Sequence, residues 1–328
     1  MRLIIIALGV MTLAPPANAG QEPHRVRLYQ GRNTRSARSE SFSRRVRLGR
    51  DGRVVITNVS GNITVTGGSG DDVVIEAIKH GNDLSSLQIQ IDERPGRVEI
   101  HPDYPSRGDA DVDFTLTVPS TAAVDAKAVS GNIKITGVQG TVRAENVSGN
   151  ITTSSTPKLE FAKTVSGDVE ISDARAESDL SLGSVSGNVH VRGLNARGLD
   201  LVTVSGDVTL SNATCERMGM KSMSGGLEYG GTLAKNGRFD VNSHSGTIRL
   251  KLAGTTGFEL NATTFSGSVR SELELKLGGP GTSGDSGNRD RSGRRRSYGT
   301  HEIRATYGDG SATLDLRTFS GDIVITKQ

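Results

Sequence analysis

The sequence predicts an all-β protein, a β-solenoid of stacked two-strand coils of about 18–21 residues, with a β-rich section ahead of it. Three observations carry that reading. The five letters VSGNI occur at Val59–Ile63, Val129–Ile133 and Val147–Ile151, and VSGDV follows at Val165–Val169. Apolar residues alternate with polar ones on either side of each Ser-Gly. The composition is poor in aromatics, at 4% with no Trp, and rich in Gly, with 42 copies against 9 Pro. A core of Val, Ile, Leu and small residues suits stacked β-structure.

The chain of 328 residues is long enough for one large domain or two ordinary ones. Its net charge of +3 is too mild to imply nucleic acid. Met1-Arg2, the apolar stretch from Leu3 to Leu13 and Ala17-Asn18-Ala19 together form a secretory signal peptide over residues 1–19. No Cys follows the cleavage site, and no later apolar run reaches membrane-spanning length. The expected product is exported, periplasmic or extracellular, and not membrane-spanning. Cys215 stands alone, so no internal disulfide is expected, and it reads as a small buried residue.

Residues 20–44 are basic and irregular, from Arg25 through Arg44, and are expected to form a poorly ordered arm. Residues 45–128 hold strand-like runs such as Val73-Val74-Ile75 and Phe114-Thr115-Leu116-Thr117-Val118, parted by turn signals at Gly81-Asn82 and Pro95-Gly96. They read as an N-terminal β section with antiparallel pairs that caps the stack. Residues 129–328 read as the solenoid repeats. From Ser130 to Ser266 the Ser-Gly pairs are spaced by 18, 18, 20, 19, 19, 21 and 21 residues.

Within a repeat, Leu314, Leu316 and Thr318 precede Ser320 at period two, and Ile323 and Ile325 follow it. Thr318 and the adjacent Phe319 are both assigned to the apolar set, which requires a bend or bulge before the Ser-Gly. A Gly at the corner tolerates positive φ and close backbone approach. The expected structural corners are Gly61, Gly131, Gly149, Gly167, Gly187, Gly206, Gly225, Gly246, Gly267 and Gly321. A second turn is expected at Gly67, Gly137, Gly193 and Ser211-Asn212. One such unit buries too few aliphatic side chains to offset the ordering of its backbone, so units must stack. The period fails at 278–298, a Gly, Ser and Arg stretch expected to be a disordered loop between coils.

Thr117-Val118-Pro119 leading into Ala128–Ile133, the opening Ile56–Ile63 and the closing Gly308–Ile323 resemble the bacterial putative-adhesin family of β-strand-repeat proteins, an exported domain of unknown function. The likeness covers roughly residues 45–328. It implies an exported all-β repeat protein of the cell envelope and supplies no catalytic residues.

The chemistry-bearing residues are sparse. Asp111 and Asp113 share one face of a strand, as paired carboxylates of a glycosidase would, but read as the solvated face of an edge strand. His24, His80, His101, His190, His244 and His301 show no metal-ligand spacing, and His244 replaces an apolar residue before Ser245. Asn62, Asn132, Asn150, Asp168, Asn188, Asp207 and Asp322 form a column after the Gly, read as a hydrogen-bonded corner and not as a Ca²⁺ ladder. Arg289, Arg291, Arg294, Arg295 and Arg296 are a candidate anion-binding loop. No catalytic residue, metal or cofactor is expected. The function expected is that of a non-enzymatic, adhesin-like envelope or secreted protein touching a polymer, surface glycan or protein. The alternatives are a carbohydrate-active solenoid enzyme and a self-assembling scaffold, for which the strand Ile323–Gln328 at the end of the sequence is an open edge that Lys327 discourages from growing.

Overall fold

The computed structural model describes residues 38–82, 84–104, 110–278 and 301–328. Among these residues the chain is all-β, with strands from Arg38–Arg47 to Ile323–Lys327 and no helix. The expected signal peptide lies outside the described residues, as does the span 279–300 that holds the Arg-rich stretch.

Each Ser-Gly joins two strands, and each strand pairs in parallel with its counterpart in the next coil. Asn146 and Ser148 sit beside Ala128 and Ser130 on one side and Thr164 and Ser166 on the other. The strand after the corner does the same, with Ile151 between Ile133 and Val169. Equivalent residues therefore form columns at the interstrand spacing of about 4.8 Å. The alternation read from the sequence is the alternation of burial: Leu314, Leu316, Thr318, Ile323 and Ile325 are all inside. The inward side chains of both ladders share one aliphatic core.

The second corner is found at Gly137, Gly193 and Asn212, whereas Gly67 lies within the strand Ile63–Gly68 and lacks a positive φ. Gly137, Ser155, Asp173, Gly193 and Asn212 occupy equivalent places, each with φ between 52° and 70°. The coils of 18 residues turn tightly there. In the longer coils the connector adds a third short ladder, Ala174–Ala176 against Leu194–Ala196 and Ala213–Cys215, so a coil is more than two strands and two turns. Small side chains line it inside, and Cys215 is fully buried among them. Burial pushes its thiol up to about 12, where it is inert at neutral pH.

The order of coils in space departs from their order in sequence. The Ser60 coil stacks directly on the Ser130 coil, with Val54, Ile56 and Ser60 in register with Val124, Ala126 and Ser130. The boundary expected at 128 is thus not a boundary of the stack. Chain between the two coils leaves, builds the cap together with Arg38–Arg47, and returns. The cap contains the expected antiparallel pairs: Arg38–Arg47 on Asp72–Gly81, that strand on Ala110–Pro119, and Gln88–Arg94 on Arg97–Asp103. Arg38–Arg47 being a strand also corrects the basic arm, which was expected to run to residue 44. Antiparallel pairing to a ten-residue neighbour, with Val46 buried, orders that segment despite its charge.

At the other end the last coil is inserted. Ala312–Ser320 lies between Leu227–Ser245 and Phe258–Ser266, and Ile323–Lys327 lies between Ile248–Ala253 and Val269–Ser271. Lys327 therefore pairs beside Leu252 on an inserted strand, and the strand Ile323–Lys327 is not the open edge of the stack. The outer strand at this end is His301–Tyr307, antiparallel to Phe258–Ser266 and paired in turn with Lys276–Leu277. The chain thus leaves at Gly278 and returns at His301 on adjacent strands, as an insertion between neighbouring strands would.

Candidate contact surface

The corner is built in three layers of residues. The Gly is first. All ten corner glycines have positive φ, from 104° at Gly61 to 156° at Gly267. A Cβ at Gly149, Gly167, Gly187 or Gly206 would collide with the carbonyl oxygen of the corner Gly in the neighbouring coil. The corner N–H groups donate along the stack, as from Gly131 to the Ser148 carbonyl at 3.0 Å and from Gly321 to the Ser266 carbonyl at 2.9 Å.

The second layer is polar and buried, two residues before the Ser. Thr164 and Ser184 hydroxyls donate to the carbonyls of Gly149 and Gly167 at 3.0 and 2.9 Å, and Asn146 Nδ2 donates to Gly131 at 2.7 Å. These bonds satisfy carbonyls that the bend would otherwise orphan.

The third layer is the Asn/Asp column. Asn62 Oδ1 accepts from the Asn132 N–H at 3.0 Å, Asn132 from Asn150 at 2.9 Å, and Asn150 from Asp168 at 2.9 Å. Asp168 then accepts from Asn188 at 2.7 Å, Asn188 from Asp207 at 2.9 Å, and Asp207 from Gly226 at 2.7 Å. Asp322 accepts from the backbone N–H of Ser268, and this bond first, with its hydroxyl second, holds the Asp322 carboxyl below the usual range. One acceptor oxygen per coil is all the column uses, so Asn and Asp serve alike. Asp168→Asn is expected to leave the urea unfolding midpoint nearly unchanged, whereas Asp168→Ala costs about 1 kcal/mol through the lost bond to Asn188.

The residue immediately before each Ser points outward, which corrects the assignment of Phe319 to the buried set. Thr318 is buried and Phe319 is 50% exposed, because the alternation carries straight through to the corner. No bulge is needed to reconcile two buried neighbours. In stack order the outward residues are Val59, Val129, Val147, Val165, Val185, Val204, Met223, His244, Phe319 and Phe265. The nine apolar members are between 43% and 60% exposed. Phe319 stacks on His244 at 5.1 Å on one side and on Phe265 at 4.9 Å on the other. The result is a continuous ridge along the stack, about 43 Å long at the interstrand spacing. His244 belongs to it as a stacked ring and is not a core residue.

Beside the ridge runs a column containing Lys127, Glu145, Lys163, Val202, Lys221 and Arg317. Lys163 lies over the Phe161 ring at 4.7 Å, and Lys127 pairs with Glu145 at 3.4 Å. A shallow groove follows the ridge from Val129 to Val185, floored by Ala128 and flanked by Lys127 and Lys163. Contiguous apolar surface on this scale marks an interaction site more often than chance exposure. The sequence signal was available: an outward parity counted from the buried Thr, occupied in every coil by Val, Met, His or Phe.

The remaining expected sites are apart from this surface or beyond description. Arg289, Arg291, Arg294, Arg295 and Arg296 lie outside the described residues. Asp111 and Asp113 do share the outer face of a strand, which pairs with Asp72–Gly81 beside them and gains Ile63–Gly68 on its other side only from Phe114 onward. His190 is partly exposed on the strand after the Ser186 corner.

The sequence profile of the Toastrack DUF4097 family matches residues 53–326. No curated protein matches the chain. Among solved structures, a putative adhesin from Bacteroides fragilis is similar at 13% identity, covering 88% of this chain and 97% of its own, with a TM-score of 0.45. A putative cell adhesion protein from Clostridium sporogenes is similar at 9% identity over 89% of this chain and 100% of its own, with a TM-score of 0.22. A putative lipid binding protein from Parabacteroides distasonis is similar at 9% identity over 65% of this chain and 89% of its own, with a TM-score of 0.32.

Proposed function

This chain belongs to the Toastrack DUF4097 family, and from that premise we propose that it is an exported, non-enzymatic, adhesin-like envelope protein built as a β-solenoid and acting by surface contact. The observation that carries the reading is the exposed ridge from Val59 to Phe265. A soluble stack could place Thr or Lys at these positions as readily as Val, and each exposed Val forgoes the favourable burial of its side chain. Equally spaced apolar groups on a rigid support give many weak contacts, and affinity accumulates through their number.

The alternative of a self-assembling scaffold finds less support. Arg38–Arg47 presents Arg44, Arg45 and Arg47 at one terminal strand, and Arg44 is bonded to Glu93 of the neighbouring terminal strand. Charged edge strands discourage edge-to-edge pairing.

The test is co-sedimentation of residues 20–328 with cell-wall sacculi and with outer-membrane vesicles, at low and high salt. The intact protein is expected to pellet with one of them at both salt concentrations. The triple variant Val147→Gln, Val165→Gln, Val185→Gln is expected to keep its circular dichroism spectrum and bind about tenfold more weakly. Pelleting that disappears in high salt would assign contact to the basic residues instead. Absence of pelleting from both would remove the proposal's support.

A further inference from the structure

The antiparallel register of Asp72–Gly81 on Ala110–Pro119 places His80 directly opposite Asp111. Asp113, two residues along the same strand, projects from the same face. His80, Asp111 and Asp113 are each half-buried, and one ligand atom from each lies within 4.8 Å of the other two. This is not a group of carboxylates alone. It is one imidazole nitrogen and two carboxylate oxygens supplied by two hydrogen-bonded strands.

Two details give the group the form of a site. The His80 Nε2 to Asp113 Oδ2 distance is 3.4 Å. Two ligands each about 2.0–2.1 Å from a tetrahedral Zn²⁺ stand about 3.4 Å apart. Asp113 is also oriented from behind. Its Oδ1 accepts from the Asn62 N–H at 2.7 Å and from Asn62 Nδ2 at 3.0 Å, which leaves Oδ2 for the outer face. Outer-shell bonds of this kind fix ligand carboxylates in metal sites. Nearby, the Tyr104 phenol is held above its ordinary value by burial first, against its hydrogen bond to Ser60, and the charges of Asp111 and Asp113 add to the rise. The locality thus carries negative potential.

We propose that His80, Asp111 and Asp113 bind a divalent transition-metal ion, Zn²⁺ by donor type, at the head of the Asn/Asp corner column. Mixed imidazole and carboxylate donors suit Zn²⁺ better than Ca²⁺ or Mg²⁺, which take oxygen. Three protein ligands leave one position for water or for a donor from a partner.

The simpler account is an ion pair between His80 and Asp113 with Asp111 as a bystander. Asp111→Asn separates the two, because it leaves that pair intact. Isothermal titration of untagged residues 20–328 with ZnCl₂ is expected to show a one-to-one event. Asp111→Asn and His80→Ala are each expected to weaken it at least tenfold with the circular dichroism spectrum unchanged. His301→Ala, distant in the fold, is expected to leave it alone. Lack of a one-to-one event, or one that survives either of the first two substitutions, overturns the proposal. A preference for Ca²⁺ that ignores His80→Ala overturns it as well.

Discussion

Gly206→Val is expected to lower the thermal and urea unfolding midpoints steeply. Gly206 has φ of 139°, a conformation that a β-branched residue avoids. A Cβ there would overlap the Gly187 carbonyl oxygen, which is backbone and cannot swing aside. The same corner carries the bonds from Gly187 N–H to Ser205 and from Gly206 N–H to Ser224, at 3.0 and 3.1 Å. Moving one coil to relieve the overlap would break bonds to both neighbours. The combined cost exceeds about 4 kcal/mol, a large part of the stability of an ordinary domain. Gly96→Ala is the control. Gly96 also has positive φ, at 71°, but nothing lies within 4 Å of its missing Cβ, so only the backbone strain of about 1 kcal/mol is expected. Thermal and urea unfolding followed by circular dichroism reads both. An unchanged midpoint for Gly206→Val would mean that close approach between corners is not what the glycines provide.

Removing residues 312–328 is expected to do comparable damage. The segment contributes Leu314, Leu316, Ile323 and Ile325, all fully buried. Burial of four such side chains is worth about 6–12 kcal/mol. The loss is not confined to the deleted residues. The Ser266 coil touches the rest of the stack through this segment, since Phe258–Ser266 pairs with Ala312–Ser320 and Val269–Ser271 with Ile323–Lys327. The truncated protein should keep β-structure through the Ser245 coil and lose protection beyond it. Limited proteolysis read by mass spectrometry should place early cuts between residues 254 and 278. A truncated chain with the intact protein's melting temperature would contradict the pairing.

The individual coil was legible in the sequence because its causes are local. Alternation, a Gly that must approach backbone closely and an Asn or Asp that offers one acceptor oxygen all lie within a dozen residues of each Ser. Phe319 was misplaced for a local reason too. Its hydrophobicity suggests burial, although the parity from Leu314 through Thr318 puts it outside. The order of the coils was beyond reach. Ser-Gly corners are nearly alike, so nothing in the motif says that Ser60 neighbours Ser130 across seventy residues or that Ser320 precedes Ser266 in space. The meeting of His80 with Asp111 depends on the register of a returning strand, which residue types alone do not set.

The interleaving of Ala312–Ser320 between two earlier strands also implies an order of assembly. A chain is made from its N-terminus, and the coils down to Ser245 can assemble in the order they emerge. The Ser266 coil emerges next and has no seat, because its neighbour on the stack is still unmade. Docking of the Ser266 coil is therefore expected to follow that of Ala312–Ser320 and Ile323–Lys327, which cover the edge of Leu227–Ser245 and Ile248–Ala253. A chain interrupted before that point, by early termination or by a protease, keeps that edge bare and is marked as incomplete by its own backbone.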